Sequence, residues 1–166
     1  MSIQRILPVK SQELRQKSKS VATFDKRIAR LIQDLTHTLR AQKNPVGVGL
    51  AAPQIGKTIR LFIVKSGKNT IPFMNPEIVW KSKETNDPEQ SKFKSKSNIK
   101  SEIHQSSEYI MEGCLSLPHY YGPVKRSARI KVRYQIPSTN HTLGLSSGRR
   151  QSLITKVQTL HGLPAQ

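Results

Sequence analysis

Between Phe24 and Leu39 apolar residues return at every third or fourth position. Ile28, Leu31, Ile32, Leu35 and Leu39 fall on one face, and Lys26, Arg27, Arg30 and Asp34 on the other. That spacing predicts an amphipathic helix, with His37 as a surface residue of it. Before the helix, Ile3 to Leu7 is a short apolar start, Pro8 argues against early helix, and Ser11 to Lys17 is polar and irregular. After it the pattern changes to short dense runs of β-formers. Arg60 to Val64 reads as a strand, a Gly67-Lys68-Asn69 turn leads into Ile71 to Met74, and Glu77 to Trp80 reads as another strand. Ala128 to Tyr134 alternates as a half-buried strand, with Ile130, Val132 and Tyr134 on one side and Arg129, Lys131 and Arg133 on the other. His141 to Leu145 is the expected hairpin partner. Leu153, Ile154, Val157 and Leu160 carry a weak helical pattern, which predicts a final helix over Gly148 to Leu160.

The stretch Lys81 to Ser107 interrupts this order. It consists of Lys, Ser, Asn, Glu and Gln with almost no apolar content, the composition of a solvated insertion. The whole reads as one α+β domain over residues 1–166, with a polar low-complexity insertion at about 81–107.

Composition changes the picture in three respects. Hydrophobic residues make up 35% of the 166, enough for a lean core. No apolar run approaches the ~20 residues of a membrane helix, and the first ten residues lack a charged-then-apolar signal layout, so a soluble, cytoplasmic protein with no membrane partner is expected. Cys114 is the single cysteine, which excludes an internal disulfide and fits a reducing compartment. It is either a small buried apolar residue or a thiolate with a chemical task. The charge is formally +18, from 28 Lys and Arg against 10 Asp and Glu. Such a field favours polyanions, RNA and ribosomes first among them. The basic residues are spread along the chain and aromatics are only 5%, so no base-stacking platform is visible and a solvated basic surface accounts for the charge as well.

Two segments carry candidate chemistry: Gly47-Val48-Gly49-Leu50-Ala51-Ala52-Pro53-Gln54 and Glu112-Gly113-Cys114-Leu115-Ser116. Together and in this order they resemble the first and second motifs of the peptide deformylase family. Asn75-Pro76 opening a strand between them, and Tyr121 to Arg126 after the second, agree with that family's layout. The resemblance implies the deformylase fold, with short antiparallel sheets packed around a C-terminal helix. It implies a metallohydrolase that removes the N-formyl group from the initiator methionine of nascent chains, and so formyl-Met peptides as partners. The residue chemistry is consistent with those implications. Glycines at 47 and 49 let the backbone approach a peptide and offer it strand-like pairing. The Gln54 amide can donate to a developing oxyanion. In the family, the roles implied are oxyanion stabilisation for Gln54 and Leu115, substrate contact for Val48, Gly49 and Gly113, and metal ligation for Cys114. The metal implied is Fe²⁺, Ni²⁺ or Zn²⁺.

The family's third motif is a helical His-Glu-x-x-His, whose histidines share one helix face and one metal ion. Aligned without a gap it falls on Thr155-Lys156-Val157-Gln158-Thr159. Thr155 and Thr159 then occupy the ligand positions and Lys156 the position of the general base. His141 and His161 have no spacing that brings them together as substitutes. The expectation is a deformylase frame with its metal chemistry impaired. The alternative from another class is a non-catalytic, basic module that binds RNA, ribosomes or peptide ends.

Overall fold

Asp25 starts the helix by capping it. Its carboxylate accepts hydrogen bonds from the backbone N–H groups of Arg27 (2.9 Å) and Ile28 (3.0 Å), satisfying two donors that the first turn leaves without partners. The helix, α1, runs from Lys26 to Ala41. A computed structural model of the chain describes residues 2–85, 111–137 and 153–161, the last segment through its backbone. The predicted apolar face is the buried face: Ile32, Leu35 and Leu39 are within 2% of complete burial, while Ile28 and Leu31 are partly buried against them.

Among the described residues six strands precede the last one: β1 Gly49–Ala51, β2 Leu61–Ser66, β3 Asn69–Lys81, β4 Met111–Cys114, β5 Leu117–Pro123 and β6 Arg129–Pro137. With β7, Leu153–His161, they form a five-stranded sheet in the order β1-β2-β3-β6-β7 and a separate β4-β5 pair. Every pairing between these strands is antiparallel. Alternation along β2 splits the core in two. Leu61 and Ile63 point with Met74 toward α1, and Phe62 and Val64 face the other side. There the rings of Phe62 and Phe73 stack with centroids 4.7 Å apart, and Phe73 meets Tyr134 at 4.3 Å. Val132 and Tyr134 are buried as the period-two reading of β6 requires.

The two runs expected on either side of Asn75-Pro76 are one strand, β3, with irregular register between Met74 and Glu77. Asn75 makes the irregularity possible. It takes φ +49°, and its side chain clasps the N-terminal loop, accepting from Val21 N–H and donating to Val21 C=O, both at 2.8 Å. The first residues of the stretch expected to be a polar insertion join the sheet. Lys81 closes β3, and Ser82 is buried, its hydroxyl accepting from Arg129 N–H and donating to Glu84 C=O. Residues 86–107 of that insertion lie outside the described residues, as does His141 to Leu145.

The expected C-terminal helix is corrected. Leu153–His161 is a strand, paired with β6 at nine consecutive positions from Leu153 opposite Pro137 to His161 opposite Arg129. Ile154, Thr155, Val157 and Thr159 are β-branched, which stiffens χ1 and favours a pleated surface. The free edge of β6 gives such a segment a full ladder of backbone partners, and this outweighs four apolar residues at weak helical spacing. The sheets therefore pack against α1, and the fold class remains α+β with short antiparallel sheets.

Candidate functional site

Both glycine-bearing motifs are folded against one another. The first passes through β1 into a short 3-10 turn, Ala52–Ile55, which ends at Gly56 with φ +76°. That turn aims the Gln54 side chain at the second motif. Gln54 Oε1 accepts from the Ala51 N–H at 2.9 Å, which fixes the orientation of the amide. Its Nε2 then donates to Ser116 Oγ at 3.2 Å and stands 3.7 Å from Cys114 Sγ. Main-chain bonds tie the N-terminal segment to both motifs, Leu7 N–H to Gln54 C=O and Val9 N–H to Ser116 C=O, each 2.8 Å.

Gly47 and Leu115 form the second contact between the motifs. A Cβ at Gly47 would lie 2.5 Å from Leu39 Cδ1 and 3.1 Å from Leu115 Cδ1, so only glycine admits this approach without displacing the core. Leu115 is half-buried and packs on the main cluster. Gly49 sits on β1, whose outer edge bears no strand among the described residues. Val48 is 72% exposed beside it, with its carbonyl accepting from Lys65 N–H. An edge that no strand covers among the described residues is the arrangement by which an extended peptide adds to a sheet, and here Gln54 already occupies its Ala51 N–H.

Gly113 and Cys114 lie on β4, and Cys114 is exposed. The register breaks between them: Gly113 faces Tyr121, whereas Cys114 faces Leu117. A Cβ on Gly113 would come within 2.7 Å of the Tyr121 ring. On the other side of Gly113, Glu112 makes a two-pronged ion pair with Arg126, one contact being Nη2 to Oε2 at 2.6 Å. The hydrogen bond from Arg126 holds the Glu112 carboxyl below its ordinary range, and the same bond raises the Arg126 guanidinium.

The structure thus gathers Gln54, Leu115, Cys114, Gly47 and Gly113, as the motifs imply, and places Val48 and Gly49 on the adjoining sheet edge. The sequence reading did not find Ser116 as the partner of Gln54, nor Glu112 with Arg126 as the brace of β4. Opposite charges flanking the Cys114 segment at hairpin separation are the signal that marks the latter.

The metal implied by the resemblance requires several protein donors around Cys114. Among the described residues no three His, Cys, Asp or Glu side chains gather so as to hold a metal ion. Thr155, Lys156 and Thr159 lie on β7 opposite Gln135, Tyr134 and Lys131, not on a helix. Along a strand, positions four apart are separated by about 13 Å, too far for two side chains to close on one ion as they do on a helix. Threonine hydroxyls are also poor donors for the metals named. The donor set among the described residues does not fit the implied metal, and no chemical step is routed through it.

Comparison with known proteins agrees with this frame. The family model for polypeptide deformylase matches residues 3–146, a span that includes both motifs and stops before Thr155. A peptide deformylase from Pseudothermotoga lettingae is 39% identical over 121 residues, 73% of this chain and 56% of that protein. One from Heliobacterium modesticaldum is 37% identical over 135 residues, 81% of this chain and 72% of its own. The chain therefore spans little more than half the length of some relatives it matches. The crystal structure of peptide deformylase from Thermotoga maritima superposes with a TM-score of 0.67 at 28% identity, covering 98% of this chain and 84% of that one. A class I type b enzyme from Acinetobacter baumannii gives 0.66 at 25% identity. No helix among the described residues is long and apolar enough to cross a membrane. With a family match over most of its length and both motifs brought together in space, the chain belongs to the polypeptide deformylase family.

Proposed function

We propose that this chain keeps the peptide-gripping half of a deformylase and has lost the hydrolytic half. The observation that carries the reading is the contrast between its two ends. Gln54, Ser116 and Cys114 are held together by hydrogen bonds, while Thr155, Lys156 and Thr159, to which the sequence reading assigns the family's ligand and base positions, lie on a strand. The substrate class of the family is the formyl-Met end of a nascent peptide. Here such an end would lie along the free edge of β1, beside Val48 and Gly49, with its carbonyl oxygen toward the Gln54 amide and the Leu115 N–H. Divalent metal, Fe²⁺, Ni²⁺ or Zn²⁺, supplies the activated water in the family. Cys114 alone is a weak holder of it, and a lysine in place of the base reverses the local charge.

The test is a deformylase assay on a formyl-Met peptide, with protein purified anaerobically and supplied with Fe²⁺ or Ni²⁺. The expected result is no turnover above metal alone, because losing ligands and base together removes several orders of magnitude. Turnover at the level of family enzymes would overturn the impairment. A second reading is favoured by the +18 charge: a non-catalytic module that docks on RNA or ribosomes. It predicts association that weakens steeply between low and high salt, and salt-insensitive association would remove it.

A further inference from the structure

Away from the Gln54–Cys114 site, a cleft of about 430 Å³ opens where the N-terminal loop crosses β3 and β6. Its polar lining comes from Ser20, Arg60, Asn75, Glu77, Arg133 and Gln135, with Tyr134 beside them. These residues come from four separate stretches of chain, several of them tied to one another by hydrogen bonds. Asn75 N–H donates to Arg60 C=O at 2.8 Å, and the Asn75 amide bridges Val21 and Gln135. Arg60 is half-buried and anchored by one N–H to Pro76 C=O at 2.6 Å. Arg133 leans on Glu77 at 3.3 Å, in a pair whose side chains are each more than half exposed.

We infer that this cleft, formed by Arg60 and Arg133 with the Ser20 hydroxyl, is a binding site for a phosphoryl group. A guanidinium offers five N–H donors in a planar fork, and each arginine spends one on the partner named. Two such forks and a hydroxyl line one cleft against a single carboxylate, which leaves the lining net positive and rich in donors. A tetrahedral oxyanion with several acceptors answers that inventory better than a planar carboxylate does. Glu77 does not close the site: an exposed ion pair at 3.3 Å is weak, and a dianion can compete for Arg133. The remaining charge of the chain makes a phosphodiester strand the source most strongly drawn to the cleft, and that assignment rests on the docking reading above. Free phosphate is the other source of the same chemistry.

Thermal melting in sodium phosphate and in sodium chloride of equal ionic strength tests the cleft. Phosphate is expected to raise the melting temperature of the wild-type chain as a bound ligand does. Arg133→Gln, which leaves the Arg60 anchor intact, is expected to weaken that effect about tenfold in concentration, as loss of a charged hydrogen bond does. Ser20→Ala should weaken it less. A control variant with Lys10→Gln and Lys68→Gln, exposed positions outside the cleft, should respond like wild type. Stabilisation by an excluded anion acts on all variants alike, so an equal response of Arg133→Gln and wild type overturns the site. Binding of a labelled single-stranded RNA, followed by fluorescence anisotropy, separates the sources. A larger loss for Arg133→Gln than for the two-lysine control identifies the phosphodiester. Equal or smaller loss, with the melting difference present, identifies free phosphate as the ligand. RNA that fails to bind any variant removes the docking reading, while the melting comparison still judges the cleft.

Discussion

The Gln54 amide stands 3.7 Å from Cys114 Sγ while its oxygen is held by the Ala51 N–H, so one side chain joins the two motifs that lie sixty positions apart. Its stronger bond goes to Ser116, a side chain only 4% exposed. Removing the amide leaves that buried hydroxyl and the Ala51 N–H to find other partners. Gln54→Leu is therefore expected to lower stability by about 1–3 kcal/mol, measured by urea unfolding. An unchanged midpoint would mean that the amide is ornamental to the fold and free for substrate.

The two motif glycines should respond differently to one methyl group. At Gly47 the added Cβ meets Leu39, a core residue 2% exposed, at 2.5 Å, and Leu115 at 3.1 Å. At Gly113 it meets the ring of Tyr121, which is 54% exposed and has room to turn outward. Gly47→Ala should cost about 1–3 kcal/mol as an overpacked core does, and Gly113→Ala clearly less. Differential unfolding of the two variants decides the order. Equal costs would show that Tyr121 is as firmly held as Leu39.

Much of this arrangement could be read before any coordinates. The helix face with Ile32, Leu35 and Leu39 declared itself because burial of one side imposes a 3.6-residue period. Val132 and Tyr134 did so through alternation. The motif residues could be placed through the resemblance of two segments to the deformylase family's motifs, with which the chemistry of glycine and cysteine at those positions is consistent. β7 was misread because Leu153, Ile154, Val157 and Leu160 satisfy helical spacing loosely, while the deciding influence, an open edge on β6, is a tertiary fact. The clasp of Asn75 on Val21 is likewise long-range, with nothing in its neighbours to announce it, whereas the brace between Glu112 and Arg126 was marked only by opposite charges at hairpin separation.

That brace makes a pH-dependent contribution. The bond from Arg126 lowers the folded-state pKa of Glu112 below its unfolded value near 4.5. A depressed carboxylate contributes stability that is fully present above the unfolded pKa and is lost as pH falls through the folded one. With Arg126 60% exposed the pair contributes only about 0.2–1 kcal/mol. Asp25, lowered by the N–H of Ile28, loses its cap in the same acid range. Glu112→Gln should thus flatten, but not abolish, the fall in melting temperature below about pH 4.5, and adding Asp25→Asn should flatten it further. An unaltered acid limb in Glu112→Gln would exclude the brace as a source of stability.

The strand assignment of β7 gives the sharpest prediction about metal. If the proposed loss of hydrolysis were a matter of side chains alone, Thr155→His, Lys156→Glu and Thr159→His together would build a site with Cys114. On β7 the two new imidazoles would be about 13 Å apart at their backbones, so they could not close on one ion. The triple variant is therefore expected to take up no Co²⁺ through Cys114 and to show no thiolate-to-cobalt absorption band. A stoichiometric band that vanishes on adding Cys114→Ala would mean that residues 153–161 can leave β6 and coil as a helix when a metal holds them. In that case the pairing with β6 is weaker than the ligand bonds, and three side chains alone decide whether this segment can hold a metal.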